Sequence, residues 1–183
     1  ERGEVDSQDF LARVDLLAAL NQKVMISNYE NFYDLNVFLG EANKQQKIAY
    51  VAGVYNLREI FDISKHQDNP GGLLGNLGKL FGLTSKLLVY PAADDEDPNR
   101  LLDSTKIEFD PHLTYLIRHL KENHFIEDVE GYNPQYSGIW SRTVLRMIQQ
   151  GEEGWEDKVP KKVAERVKTA CLFGYPCPPN KNS

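Results

Sequence analysis

Lys47-Ile48-Ala49-Tyr50-Val51-Ala52-Gly53-Val54-Tyr55-Asn56-Leu57 decides the fold class. Residues 47–52 form a short apolar run of the kind that lies in a parallel sheet covered on both faces, and Gly53 ends it. From Asn56 to Ile63 the apolar residues Leu57, Ile60 and Phe61 return at helical spacing. The stretch therefore reads as strand, turn and helix.

Working outward toward the N-terminus, Glu30 to Ala42 shows a helical pattern through Phe32, Leu35, Phe38 and Leu39. Lys23-Val24-Met25-Ile26-Ser27 before it reads as a further buried strand, which makes a βαβ unit. Asp9 to Leu20 reads as a first helix with Asp9 placed to cap it. Toward the C-terminus, Pro70-Gly71-Gly72 opens a short helix through Leu77, Leu80 and Phe81, and Lys86 to Tyr90 reads as the next strand. Ala92 to Arg100 holds four acids and a proline and is expected as an exposed loop. Pro111 to Asn123, Ser141 to Gln150 and Val159 to Cys171 are helical, with Gly151 and Gly174 at helix ends. The expected architecture is one α/β domain over residues 1–175. It is Rossmann-like and three-layered, with a short parallel sheet, a helical C-terminal part and a frayed tail at 176–183.

Composition narrows the function classes. The 183 residues are 41% hydrophobic and 26% charged, ordinary globular usage that excludes a disordered chain. The net charge of −6, with thinly spread cations, disfavours nucleic acid, which is bound by clustered Lys and Arg. No apolar run approaches the roughly 18 residues of a membrane span, and Glu1 to Phe10 is acidic where an export signal is basic. A cytoplasmic protein without a membrane partner is expected. Cys171 and Cys177 are then expected as reduced thiols. The first residue is not methionine, so a partner domain of the same protein is a further expectation.

Ligands of parallel sheets bind beyond the carboxyl ends of the strands, at a switch point in strand order. Those ends are Ser27-Asn28, Gly53-Val54 and Pro91. At Ser27-Asn28-Tyr29 free N–H groups favour an anion such as a phosphate, while helix capping is the commoner role of Ser and Asn there. At the next end Gly53 permits close approach of the backbone, and Asn56 either caps the following helix or touches a ligand. The glycine-rich 70–82 stretch has no Gly-Lys-Ser/Thr ending, so its glycines are expected to serve packing, a mobile lid being the alternative. The four histidines do not fall at metal-ligand spacing, and no metal is proposed.

Ile139-Trp140-Ser141-Arg142-Thr143-Val144-Leu145-Arg146, followed by Gly151, Val159-Pro160 and Leu172-Phe173-Gly174-Tyr175, resembles the C-terminal signature of nicotinate-nucleotide adenylyltransferases. Gly53-Val54-Tyr55-Asn56-Leu57 is similar to that family's Gly-Ala-Asp-Asn-Leu, with Tyr55 in place of the aspartate. Residues 27–36 sit where the family carries two catalytic histidines, and Tyr33 and Asn36 stand at those positions. Leu145 stands where the family has its arginine. From about Leu16 to Tyr175 the chain resembles the C-terminal domain of a bacterial family of larger proteins that carry the adenylyltransferase label, or that of TonB-dependent receptors.

The resemblance implies a nucleotide-binding domain that takes ATP or a pyridine nucleotide, or another phosphorylated small molecule. Its implied site comprises Ser27, Asn28, Gly53, Asn56, Ser141, Arg142 and Arg146. Adenylyl transfer by this chain alone is not expected, because the histidines that stabilise the moving phosphate are replaced. The alternative is a non-catalytic interaction or regulatory module, in which Tyr29, Phe32, Tyr33 and Trp140 contribute to a partner surface.

Overall fold

A computed structural model of the chain describes residues 6–42, 47–82, 85–97 and 99–177. These residues carry seven α-helices: α1 (Ser7–Ala19), α2 (Phe32–Ala42), α3 (Val54–Ile60), α4 (Gly72–Leu80), α5 (Thr114–Glu122), α6 (Ser141–Gln150) and α7 (Lys161–Ala170). Five short strands accompany them: β1 (Ile48–Gly53), β2 (Ser85–Tyr90), β3 (Ala92–Ala93), β4 (Leu101–Leu102) and β5 (Ile126–Asp128). The chain clusters into two compact units, Asn28–Gly138 and Glu1–Ser27 with Ile139–Ser183. Of the expected frayed tail, 178–183 lie outside the described residues.

The larger unit is α/β. Its parallel sheet has the order β1-β2-β5, with Tyr50, Leu87 and Ile126 in one cross-strand row and Ala52, Val89 and Asp128 in the next. The apolar members of these rows are buried and join Leu57 and Phe61 of α3, Leu73, Leu77 and Leu80 of α4, and Ile117 and Leu120 of α5 in one core. The opposite face of β1 is open, with Val51 62% exposed. Coverage on both faces, expected from the apolar runs, is not what β1 shows. Val51 is β-branched and extended backbone suits it, so local hydrophobicity reports strand propensity here and not burial. Within the parallel sheet the described strands β1, β2 and β5 lie in chain order, so the order contains no reversal and no switch point.

Three further expectations are corrected. Lys23–Ser27 is not a strand: Met25 and Ile26 are exposed, and no ladder forms there. An apolar run of this length needs a partner strand, and the sheet's edge is β1 instead. Helix α1 is capped by Asp6, which accepts from the Gln8 and Asp9 N–H groups, while Asp9 instead pairs with Arg13 at 2.7 Å. Helix α2 starts at Phe32, with Asn31 accepting from the Asp34 N–H at 2.9 Å, so Ser27 and Asn28 precede the helix without capping it.

The smaller unit is helical. Leu16 of α1, Val144 and Ile148 of α6, Ala164 and Val167 of α7, and Trp155 form its core. The four-residue spacing of Val144 and Ile148 turns one stripe of α6 inward, leaving Arg142 and Arg146 on an exposed stripe. Gly151 closes α6 in the left-handed conformation, as expected. At the end of α7, however, Cys171 takes that conformation with φ of 54°, and Gly174 follows three residues later. Cys171 is bonded to Cys177, so the two are not reduced thiols. The left-handed turn brings residue 177 back to the helix end, which spacing alone does not reveal.

Candidate functional site

The carboxyl ends of the strands, where a ligand was expected, are stitched to the chain's own loops. Asn56 Oδ1 accepts from the Gly53 N–H at 3.2 Å, so it caps α3. The Tyr55 hydroxyl donates to the Ala93 carbonyl at 3.2 Å and accepts from the Asp95 N–H at 3.1 Å, which holds the β3–β4 hairpin against the start of α3. Asp128, at the end of β5, accepts from the Ser104 N–H and hydroxyl at 2.9 and 2.8 Å. Lys121 donates to the Ser104 carbonyl. Burial lowers the Lys121 ammonium pKa, opposed by Asp128 and Asp103.

Asp103 anchors the same corner. Burial alone raises its pKa, but bonds from Thr105 and Lys106 outweigh that and bring it to about 2, against 3.8 ordinarily. A depressed carboxylate stabilises the fold fully above its unfolded value and loses that contribution as pH falls through its folded one. Asp103, with a side chain 26% exposed, should contribute about 2 kcal/mol at neutral pH. Asp103→Asn is expected to remove most of this at pH 7 and little near pH 2, read from urea unfolding at both pH values. Equal losses at the two would show that the carboxylate charge is not what holds the corner.

Beside α3 lies a cleft of about 480 Å³ lined by Asn31, Tyr33, Asn56, Glu59, Lys65 and His66 among others. Several of its polar groups are engaged within the chain: Lys65 pairs with Glu59 at 3.4 Å, and Asn31 exchanges bonds with Asp34. His66 is buried, 2.9 Å from the Ile60 carbonyl through Nε2 and 2.8 Å from the Asn76 amide through Nδ1. A carbonyl only accepts, so Nε2 is the donor to Ile60. Asn36 is also structural, accepting from the Tyr50 hydroxyl at 3.0 Å and donating to the Lys79 carbonyl at 2.8 Å.

The smaller unit presents a different surface. Leu16, Leu17 and Leu20 of α1, Ser141, Val144, Leu145 and Ile148 of α6, and Ile139, Val159, Val163 and Phe173 line a groove of about 520 Å³. Arg13 and Lys158 are its cations. The Arg13 guanidinium lies 5.3 Å from the centre of the Phe173 ring, a cation–π arrangement. Phe173 has φ of 57°, a conformation that costs a bulky residue about 1–3 kcal/mol and persists only where its surroundings impose it.

The seven residues anticipated from the sequence fall into both units. Asn28, Gly53 and Asn56 belong to the larger, and Ser27, Ser141, Arg142 and Arg146 to the smaller. Ser141 starts α6 as anticipated and reaches the groove, whereas Arg142 and Arg146 are exposed and Leu145 lines it. Of the aromatics assigned to a partner surface, Phe32 and Tyr33 pack on the α/β core, Tyr29 stacks at 5.4 Å on Phe38, and Trp140 is 37% exposed. No single stretch of sequence encodes the groove, because its walls come from α1, α6, residues 159–163 and residue 173, far apart in sequence. Among the described residues, no helix is long and apolar enough to cross a membrane, and no three His, Cys, Asp or Glu side chains are grouped to hold a metal ion. No family model, curated protein or solved structure matches the chain.

Proposed function

We propose that the chain is a non-catalytic interaction module whose working surface is the groove between α1 and α6, and that its occupant is an amphipathic helix. The observation that carries this reading is Leu145. At the position where the resemblance places a phosphate-binding arginine, this chain has a leucine that lines an apolar groove. Apolar residues three and four apart on a partner helix are what such a groove accepts.

The nucleotide reading is supported by the parallel β1–α3–α4–β2 and β2–α5–β5 successions, which are Rossmann-like in sequence order. Against it, Asn56, Tyr55 and Asp128 spend their polar atoms on the fold, and the open face of β1 favours fewer than three layers. The Cys171–Cys177 bond favours an oxidising compartment over the cytoplasm, where thiols stay reduced.

The test uses a leucine–glutamate amphipathic peptide of about five helical turns, with binding followed by fluorescence anisotropy. Micromolar binding is expected, weakened about ten-fold or more by Leu17→Asp, which places a charge on the groove wall. Leu17 is 45% exposed, so the substitution leaves the helical core in place. Arg142→Ala with Arg146→Ala should leave binding within two-fold, roughly the scatter of exposed substitutions. Thermal stabilisation by ATP or a pyridine nucleotide, lost in that double variant, would sink the proposal in favour of a nucleotide site.

A further inference from the structure

The segment after α7 is held to the groove in an unusual way. Its backbone hydrogen bonds are local: the Cys171 N–H donates to the Val167 carbonyl, and the Tyr175 N–H to the Leu172 carbonyl. Among the described residues, no backbone hydrogen bond ties residues 171–177 to α1 or α6. Side chains do the docking instead. Phe173 lies under Arg13 and forms a groove wall, Tyr175 meets the Trp155 ring edge-on at 6.0 Å, and Pro176 packs where a side chain on Gly151 would clash at 2.9 Å.

Two of the residues that set this path, Cys171 and Phe173, adopt left-handed backbone at φ of 54° and 57°. Neither has glycine's freedom there, so something must impose the turn. The covalent link closes a loop of sequence separation 6 around the turn and so constrains it together with the packing of Phe173, Tyr175 and Pro176. The buried core residues Leu16, Val144, Ile148, Trp155, Ala164 and Val167 all lie outside that loop. Leu172, Phe173 and Tyr175, inside the loop, pack on that core from outside it, so opening the bond frees the turn while the buried contacts among α1, α6 and α7 remain. A bond that merely stapled the unit would be expected to join distant elements across the core.

We propose that Cys171–Cys177 is a reducible clasp that sets the affinity of the groove: closed, it holds Phe173 in place as a wall, and opened, it releases that wall. The inference rests on reading the groove as the binding surface. The chemistry is thiol–disulfide exchange with a dithiol reductant. One reductant thiolate attacks a sulfur of the pair, the protein S–S bond breaks, and a mixed disulfide forms. The second reductant thiolate then displaces the protein sulfur. Two electrons and two protons pass from the dithiol to the protein, which gains two thiols while the reductant becomes a cyclic disulfide.

The experiment is performed on the full chain with the same amphipathic peptide, before and after dithiothreitol. A chromogenic thiol reagent should find no thiol before reduction and two after. Reduction should weaken the peptide about ten-fold while far-ultraviolet ellipticity is retained, since an aromatic wall is worth about that factor. Cys171→Ser with Cys177→Ser should bind as the reduced chain does. Phe173→Ala should weaken the oxidised chain by the same factor, and reduction of that variant should add less than about two-fold, because the wall is already gone.

Reduced and oxidised chains binding within two-fold, with Leu17→Asp still disruptive, would overturn the clasp and leave the groove standing. Leu17→Asp without effect would overturn the groove reading and the clasp with it. Two thiols in the chain before reduction, or loss of helical ellipticity on reduction, would each overturn the clasp. Phe173→Ala binding like the unmodified chain would do the same.

Discussion

Trp155→Ala is expected to cost the helical unit about 3–5 kcal/mol, the range for deleting a large aromatic from a core. Trp155 is 1% exposed and is the largest of the fully buried side chains. It packs with Leu16, Val144, Ile148, Ala164 and Val167, and Tyr175 meets its ring edge-on. The Lys168 ammonium lies 5.7 Å from the ring centre and pairs with Glu156 at 2.5 Å, so a rim of charge closes over the indole. Trp140, at 37% exposure, is the internal control, and Trp140→Ala should lie within about 0.5–1 kcal/mol. Urea unfolding followed by ellipticity distinguishes them. Losses of equal size would mean that the buried contacts of Trp155 do not hold the helices together.

The same unit shows what a local reading of sequence can reach. Helix α6 was legible to its end residues because Val144 and Ile148 repeat at helical spacing and Gly151 follows. Strands β1 and β2 were legible as apolar runs. Strand β5 was not, since Ile126-Glu127-Asp128 carries two acids in three residues. The structure satisfies them from afar: Glu127 bonds Lys86 of the neighbouring strand, and Asp128 holds Ser104. A window of sequence sees the charges and not their partners. Lys23–Ser27 is the converse case, apolar enough for a strand but without one to pair with. For the site, the start of α6 at Ser141 was legible, yet the groove beside it also needs Leu16, Leu17 and Leu20 of α1 and Phe173, which are distant in sequence. The disulfide depends on a left-handed Cys171, a backbone state that composition and spacing do not encode.

Two glycines of one helix carry the remaining large prediction, and they should respond with opposite signs. Gly75 and Gly78 both lie inside α4, and intrinsic propensity alone predicts that alanine at either stabilises by about 1 kcal/mol. Tertiary contact separates them. A Cβ on Gly75 would stand 2.6 Å from the Pro70 carbonyl oxygen, whereas one on Gly78 meets nothing within 4 Å. The Pro70 carbonyl cannot easily retreat. It is set by Gly71 in the left-handed conformation, whose own Cβ position is 3.1 Å from the Gly75 Cα, and Leu73, Leu77 and Leu80 fix α4 in the core. Gly75→Ala is therefore expected to cost about 1–3 kcal/mol, the usual price of overpacking, while Gly78→Ala should stabilise by up to about 1 kcal/mol. Urea midpoints of the two variants should shift in opposite directions. If both rise, the turn at Pro70 does not press on α4. If both fall alike, the glycines serve backbone freedom, and the mobile-lid alternative for this stretch takes the place of close packing.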